Sequence, residues 1–190
     1  MKSNLFLSHL SEHQAVCESI KSLEPAVERA ILTAVDAIKT GGKILLCGNG
    51  GSASDSQHIA AEFIGRFTVD REPISALALT TDTSVLTCVG NDYAFDQIFA
   101  RQVKGLGRSG DVLIAISTSG NSGNVINAVI QAKAIGMKVI GFLGRDGGQL
   151  SPLCDVPLVV PHQQTARIQE MHILIGHILC HGVETQLGMV

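Results

Sequence analysis

The most constraining feature of the chain is a strand, a glycine loop and a helix that follow one another in residues 43–67, KILLCGNGGSASDSQHIAAEFIGRF. The apolar run of residues 43–47 predicts a buried strand, and residues 53–67 predict a helix with Ser52 as its N-cap. The glycines between them let the backbone approach a ligand closely. Because the first amides of a helix have no partner within it, the segment predicts an anion-binding site at the start of the helix.

The rest of the chain alternates between apolar strand patterns and helical patterns. Further strands are predicted at residues 76–79, 111–116, 138–143 and 156–160. Helices are predicted at 93–105, 123–134 and 165–187, and a short helix capped by residues 80–83 ends at residue 88. Apolar strands separated by helices imply a parallel sheet that is covered on both faces. The predicted fold class is therefore α/β, a three-layer sandwich built on a five-stranded parallel sheet.

Two helices are predicted ahead of the first strand, in residues 4–39, with a break at Pro25 and an end at the glycine pair 41–42. The length of the chain favours a single domain, made of an N-terminal helical pair (1–40) and an α/β core that includes the C-terminal helix (41–190). Since the helical pair precedes any strand, we expect it to pack on the domain or on another subunit.

Charge and composition exclude several classes of partner. The formal net charge of -3 provides no general attraction to nucleic acid or to an anionic membrane, and without Trp there is no stacking platform for single strands. We see no signal peptide and no apolar run long enough to span a bilayer. The five cysteines are widely spaced and form no CxxC pair, which favours a reducing, cytoplasmic location.

A second polar loop follows the predicted strand at 111–116. Residues 117–122, STSGNS, offer four hydroxyls and a run of backbone amides at a helix start. Such a loop holds a phosphate through neutral donors and the helix dipole, at the carboxyl end of a parallel strand where α/β sheets bind ligands. The alternative is a Ser-rich cap and turn, but a cap needs only one hydroxyl, so we favour phosphate binding.

The first loop also fits the G-x-G-x-x-A pattern in its residues GNGGSA, a weak signal for a dinucleotide site. That fingerprint requires an acidic residue at the end of the second strand, whereas Asp70 and Glu72 precede it and Asp82 follows it. His58 and Glu62 on the next helix have no role in a nicotinamide site. A sugar-phosphate site is therefore the favoured interpretation.

The spacing of His58 and Glu62 places both side chains on one face of their helix. They are able to share a metal ion, or the carboxylate can act as a base. The alternative is a surface pair that contributes little to stability. The last helix adds Gln169, Glu170, His172, His177 and His181 within an apolar pattern, and its spacing alone does not distinguish a functional histidine from a structural one.

The chain resembles the sedoheptulose-7-phosphate isomerase family in four segments, which are GNGGSASDSQHIAAEFIGRF, VGNDYAFDQIFARQV, GDVLIAISTSGNSGNVINA and RIQEMHILIGH. The members are phosphoheptose isomerases with the flavodoxin-like sugar-isomerase (SIS) fold. The resemblance implies an intramolecular oxidoreductase that converts sedoheptulose 7-phosphate to D-glycero-D-manno-heptose 7-phosphate. This is the first step in the supply of ADP-heptose for the lipopolysaccharide core.

The resemblance also implies the site residues and the assembly. The implied catalytic residues are Glu62 and His177, and the implied metal ligands, normally for one zinc ion per subunit, are His58, Glu62, Gln169 and His177. The implied substrate contacts are Asn49, Gly50, Gly51, Glu62, Arg66, Asn91, Asp92, Ser117, Thr118, Ser119, Ser122 and Gln169. Members are homotetramers whose sites lie at subunit contacts, so a homo-oligomer is expected here.

One position departs from the family pattern, since some members have Asp where this chain has Ala166, just before Arg-Ile-Gln-Glu. Two other functions are compatible with this fold. A non-enzymatic relative with this fold binds a bacterial replication initiator, and a sugar-phosphate sensor would bind ligand without turnover. The first lacks the residues that correspond to Glu62 and His177, and the second does not need the metal-ligand set, so the isomerase is favoured.

Overall fold

The computed structural model describes residues 4–190, so residues 1–3 of the predicted N-terminal segment lie outside the described part. The helices are α1 (Leu5–Ser19), α2 (Glu24–Lys39), α3 (Gly51–Ile64), α4 (Thr83–Asp92), α5 (Ile98–Leu106), α6 (Gly123–Ala134) and α7 (Thr165–Gln186). The strands are β1 (Ile44–Gly48), β2 (Ala76–Ala78), β3 (Val112–Ser117), β4 (Lys138–Gly144) and β5 (Val156–Val160). Single turns of 3-10 helix occupy Ile20–Leu23, Phe95–Gln97 and Ser151–Leu153.

The five strands form one sheet in the order β2-β1-β3-β4-β5, and every neighbouring pair is parallel. The predicted α/β class and parallel sheet are confirmed, and the strand order is the flavodoxin-like one. In this order the chain reverses direction across the sheet between β1 and β3, the topological switch point. The register pairs Gly48 with Ile116, so the loops that follow β1 and β3 lie side by side at the carboxyl edge.

Alternate residues of the central strands feed two separate cores. In β1, Ile44 and Leu46 pack toward α2, α3 and α7, whereas Leu45 and Cys47 pack toward α5 and α6. All five residues of β1 are buried. Because successive side chains of a strand point to opposite faces, this double burial explains why the strand pattern is continuously apolar instead of alternating.

The start and end of α3 differ from the prediction. Its N-cap is Gly50, with φ 57°, and the predicted cap Ser52 is instead buried within the first turn. A glycine in this backbone conformation lets the chain turn directly from the strand into the helix, which leaves no room for an intervening cap. The helix ends at Ile64, so Arg66 and Phe67, predicted as helical, lie beyond it.

The helix α4 is longer than predicted, since it continues past residue 88 and includes Asn91 and Asp92. The side chain of Asp82 caps the helix by accepting a hydrogen bond from Val85 N at 3.0 Å. The helix tolerates Gly90 near its end because the segment packs against the turn Phe95–Gln97.

A buried ion pair fixes the segment that leaves α3. The carboxylate of Glu184, on α7, is fully buried and accepts hydrogen bonds from Arg71 Nε at 2.7 Å, Phe67 N at 3.1 Å and Thr68 Oγ1 at 3.1 Å. The Arg71 guanidinium also donates to the backbone carbonyls of Phe63 and Glu62, both at 2.8 Å. Residues at the end of α3 are thereby tied to α7, although the sequence pattern singled out neither charged residue.

We predict that Glu184→Gln destabilises the protein by about 3–5 kcal/mol, because it leaves the Arg71 charge buried without a counter-charge. Burial raises the pKa of Glu184, but the hydrogen bonds from Phe67, Arg71 and Thr68 outweigh it and hold the pKa below its ordinary value. The ionised carboxylate therefore stabilises the fold above the unfolded pKa of about 4.3, and this stabilisation is lost as the pH falls through the folded pKa.

Urea unfolding between pH 3 and 7 measures both effects. The matched control is Glu18→Gln, which removes an exposed pair with Lys21 (2.6 Å) and should change the free energy of unfolding by less than about 1 kcal/mol. Equal losses for the two variants, or an unchanged pH dependence in Glu184→Gln, would contradict the assignment.

Candidate functional site

Three side chains from two helices converge where α3 packs on α7. His58 Nε2 lies 3.1 Å from Glu62 Oε1, and the rings of His58 and His177 have their centroids 5.0 Å apart. Each of the three residues offers a ligand atom, and these atoms all lie within 4.8 Å of one another. The structure therefore brings together three of the four predicted metal ligands, which include both predicted catalytic residues.

The two helices approach closely because α7 has a glycine at the contact. A Cβ atom built on Gly176 would lie 2.6 Å from Ile59 Cδ1, so any larger residue would push the helices apart. The helices run in the same direction, since Gln169 lies beside Gly51 at one end and Gly176 lies beside Ile59 further along. This close parallel packing sets His177 opposite His58.

The donor set of this cluster fits a zinc ion. Zinc sites of the catalytic type use three nitrogen or oxygen ligands and keep a further position open for water or substrate. His58 is exposed, and Glu62 and His177 are half-buried, so solvent and a ligand can reach the cluster. The ring of Phe67, whose centroid is 5.4 Å from that of His177, covers one side.

Asp55 belongs to the same helix face and was missed in the sequence analysis. It lies one turn before His58, and its Oδ2 atom is buried without a hydrogen-bond partner. Burial raises the pKa of this carboxyl, and the nearby His58 lowers it by less. The i, i+3 spacing to His58 is the signal in the sequence that was available to find it.

The structure separates the three histidines of α7, which the sequence pattern left equivalent. His172 is fully buried and its Nε2 pairs with the Leu143 carbonyl at 2.9 Å. Burial lowers the pKa of His172 to about 4, although the bond to Leu143 opposes the shift. His181 is exposed, with its ring centroid 6.2 Å from that of Phe67. Only His177 lies in the cluster with His58.

Gln169, the fourth predicted metal ligand, lies where α7 meets the start of α3. Its side-chain amide occupies the space beside Gly51, at the first turn of α3. It is eight residues from His177, a rise of about 12 Å along α7. Gln169, predicted both as a substrate contact and as a metal ligand, therefore lies beside the glycine loop, about two turns along α7 from His177.

The serines of the second loop form a hydroxyl cluster at the start of α6. Ser117 Oγ lies 2.9 Å from Ser122 Oγ and 3.5 Å from Ser119 Oγ, while Thr118 lies between them in the chain. Ser122 is the N-cap residue of α6, but its side chain makes no capping hydrogen bond. Hydroxyls gathered at a helix N-terminus, without a capping role, are suited to bind an anion.

A pair of side-chain amides joins the two loops. Asn49, after β1, and Asn124, in the first turn of α6, exchange two hydrogen bonds of 2.8 Å. Asn124 is buried and was not singled out by the sequence. Beside this pair, a cavity of about 160 Å³ is lined by Gly50, Phe95 and their neighbours. The amide pair holds the glycine loop at a fixed distance from the hydroxyl cluster.

The remaining predicted substrate contacts are Asn91, Asp92 and Arg66, and all three are exposed. Asn91 donates to Asp92 Oδ1 at 2.8 Å, and both are exposed at the end of α4. The hydrogen bonds from Asn91 and Cys88 hold the pKa of Asp92 below its ordinary value. Arg66 is exposed just after α3. Among the described residues, none of these three side chains hydrogen-bonds to either loop.

Comparison with known proteins identifies the family. The SIS domain family matches residues 8–144 of the chain, most of the sheet and its helices. The chain is 51% identical to the phosphoheptose isomerase of Aliarcobacter butzleri over 188 residues, which cover 99% of this chain and 100% of that protein. The chain belongs to the phosphoheptose isomerase family. The resemblance inferred from the four sequence segments is therefore confirmed.

Solved phosphoheptose isomerases share the fold over nearly the whole chain. The structure from Neisseria gonorrhoeae has a TM-score of 0.91 at 47% identity and covers 95% of this chain and 97% of that one. The structure from Francisella tularensis has a TM-score of 0.93 at 38% identity and covers 97% and 99%. The SIS match ends before α7, whereas these phosphoheptose isomerases also cover the region that carries His177.

Residues 4–190 contain no helix that combines the length and the apolar character needed to cross a bilayer.

We predict that Gly120→Ala destabilises the protein far more than Gly50→Ala does. Both glycines have positive φ, 67° and 57°, so an alanine is strained at either position whatever the space around it. Nothing lies within 4 Å of a Cβ at Gly50, whereas one at Gly120 would collide with the backbone of Gly147 and lie 2.7 Å from Gly148 N. The extra cost should be about 1–3 kcal/mol, measured by urea unfolding. Equal destabilisation would show that the Ser117–Ser122 loop is not packed on the 144–148 loop.

Proposed function

We propose that the protein is a ketose–aldose isomerase that converts sedoheptulose 7-phosphate to D-glycero-D-manno-heptose 7-phosphate. The observation that carries the proposal is the convergence of His58, Glu62 and His177 at one helix contact, in a chain half identical to named phosphoheptose isomerases. An initiator-binding protein or a sensor has no need of such a cluster. The product would be the first intermediate in the supply of ADP-heptose for the lipopolysaccharide core.

The reaction moves a proton between C1 and C2 of the sugar through a cis-enediol. A base must remove the carbon-bound proton, and a second group must manage the protons on the oxygens. Glu62 suits the first role because it is half-buried yet reachable from solvent. His177 suits the second because an imidazole has one nitrogen that can donate a proton and one that can accept it.

A zinc ion would be held by His58, Glu62 and His177, with Gln169 as the fourth proposed ligand. When bound, zinc supplies a Lewis acid that polarises the carbonyl and stabilises negative charge on the sugar oxygens. Without the ion, the two histidines and the carboxylate still define where the reacting carbons must lie. The hydrogen bond from Arg71 to the Glu62 backbone carbonyl holds the last turn of α3 in place.

The phosphate of the substrate would bind the hydroxyl cluster of Ser117, Thr118, Ser119 and Ser122. The support for this is the cluster of hydroxyls at the start of α6 and the switch-point position of the loop. Binding there would supply energy away from the reacting carbons. The sugar would extend along a further set of contacts, made up of Asn49, Gly50, Gly51, Arg66, Asn91, Asp92 and Gln169.

A homotetramer is the proposed assembly, and the cytoplasm is the proposed location. The support for the assembly is the first turns of α1, where Leu5, Phe6 and Leu7 expose 68%, 72% and 54% of their surface. Large apolar side chains that are exposed together in one helical turn are typical of an interaction surface. Another copy of the chain that covers α1 would also lie near α7, on which Gln169 and His177 reside.

We predict that Glu62→Gln lowers kcat for sedoheptulose 7-phosphate by at least about 100-fold, because an amide keeps the shape of the side chain but cannot accept the proton. Circular dichroism should show an unchanged fold. The zinc content of the variant, measured by mass spectrometry, separates loss of the base from loss of the metal. Glu72→Gln, an exposed position on the following segment, is the control and should retain full turnover. Turnover of Glu62→Gln within a few-fold of the parent would remove Glu62 from the mechanism.

We predict that His177→Ala lowers zinc affinity by more than about 100-fold, since even the loss of a residue that only supports a ligand costs about 10–100-fold. The measurement is zinc binding by competition with a fluorescent chelator, which does not depend on turnover. The matched control is His181→Ala, one turn further along α7 and also near Phe67. Equal zinc affinity in the two variants would place the metal elsewhere.

A further inference from the structure

A thiol, an imidazole and a carboxylate form a hydrogen-bonded chain that is separate from the cluster of His58, Glu62 and His177. Cys17 Sγ lies 3.4 Å from His13 Nε2, and His13 Nδ1 lies 2.8 Å from Glu170 Oε2. Cys17 Sγ also lies 3.8 Å from Met171 Sδ. Nucleophile, base and orienting acid thus stand in the order that defines a catalytic triad of the cysteine type.

The packing of α1 on α7 brings these three side chains together. His13 and Cys17 are four residues apart on α1 and so share one face. Glu170 reaches them from α7 and is held from its other side by Arg167 Nη2 at 2.7 Å. Arg167, itself nearly buried, also donates to the His9 carbonyl on α1 at 2.7 Å. The carboxylate that orients His13 is therefore fixed in place.

We propose that Cys17 is a modification site that undergoes thiol–disulfide exchange with a low-molecular-weight disulfide. The thiol proton passes to His13 Nε2, and the sulfur attacks one sulfur of the disulfide. A new S–S bond forms on Cys17 while the original S–S bond breaks. The departing sulfur leaves as a thiolate and takes the proton back from His13, so the small disulfide is the oxidant and no other reactant is needed.

A cavity beside the thiol has room for the incoming group. It has a volume of about 290 Å³ and lies between α2, α7 and the turn Ile20–Leu23. Cys17 forms part of its wall together with apolar side chains such as Val27 and Ile175, and the charged residues at the wall are Lys21, Glu24 and Glu28. Lys21 is already paired with Glu18 at 2.6 Å. The lining fits a small uncharged disulfide that has an apolar body.

The other four cysteines lack this environment. Cys47 and Cys180 are fully buried, and burial raises the pKa of both thiols. Burial and the neighbouring Asp155 raise the pKa of Cys154 to about 12. Cys88 is exposed, but its hydrogen bond to Asp92 raises the pKa of its thiol. Cys88 is therefore the internal comparison, because it is more accessible than Cys17 and has no histidine partner.

The test treats the intact, assembled protein with bis(2-hydroxyethyl) disulfide, a small uncharged disulfide, at pH 7 and follows the mixed disulfide on each cysteine by peptide-mapping mass spectrometry. We expect Cys17 to react at least about tenfold faster than Cys88, since a positioned base accelerates proton removal. His13→Gln should lower the Cys17 rate at least about tenfold and leave the Cys88 rate unchanged. His9→Gln, one turn earlier on α1, keeps the carbonyl that contacts Arg167 and should leave both rates unchanged.

The comparison of Cys17 with Cys88 needs no variant, so it remains decisive if His13→Gln does not fold. A Cys17 rate equal to or below that of Cys88 would overturn the proposal. A Cys17 rate in folded His13→Gln within twofold of the parent would do the same. Cys17→Ser should retain isomerase turnover, which keeps this test independent of the proposed function.

Discussion

The close contact between α3 and α7 is the interaction on which the site depends. Each helix alone presents ordinary polar residues on one face, and neither alone holds a complete set of donors. Because Gly176 has no side chain, Ile59 packs directly on the α7 backbone, and His177 comes within reach of His58 and Glu62. A few ångströms of extra separation would leave the His58–Glu62 pair on α3 without His177.

The buried pair of Arg71 and Glu184 secures the far end of the same contact. Glu184 fastens the chain just after α3 to α7, and Arg71 fastens that chain to the last carbonyls of α3. A buried ion pair is costly to form, and its known use is to specify one arrangement over others. Here the specified arrangement sets the helix of the proposed base against the helix of the proposed acid.

The sheet positions the proposed phosphate site, which is the second part of the candidate site. Strand order puts the loops after β1 and β3 next to each other, and the Asn49–Asn124 amide pair fixes their separation. The proposed phosphate site is thus anchored to the most deeply buried strands, while the proposed reacting groups are carried by helices on one face. A substrate that spans both would bind a rigid edge with its phosphate and a helix contact with its reacting carbons.

The sequence by itself determined the features that depend on local order. Apolar runs predicted the strands, since strands buried on both faces are continuously apolar, and the i, i+4 spacing placed His58 and Glu62 on one face. Four motifs established the family. Helix ends were less predictable, because Gly50 at the start of α3 and the continuation of α4 through Asp92 depend on what packs beside them.

Only the tertiary structure decided which distant residues meet. The spacing of His172, His177 and His181 on α7 is nearly uniform, and burial against Leu143 or apposition to α3 is what gives each its role. Glu184 with Arg71, and Glu170 with His13, are separated by more than one hundred residues. Periodicity reports the direction of a side chain relative to its own helix, whereas contact depends on how the helices are stacked on the sheet.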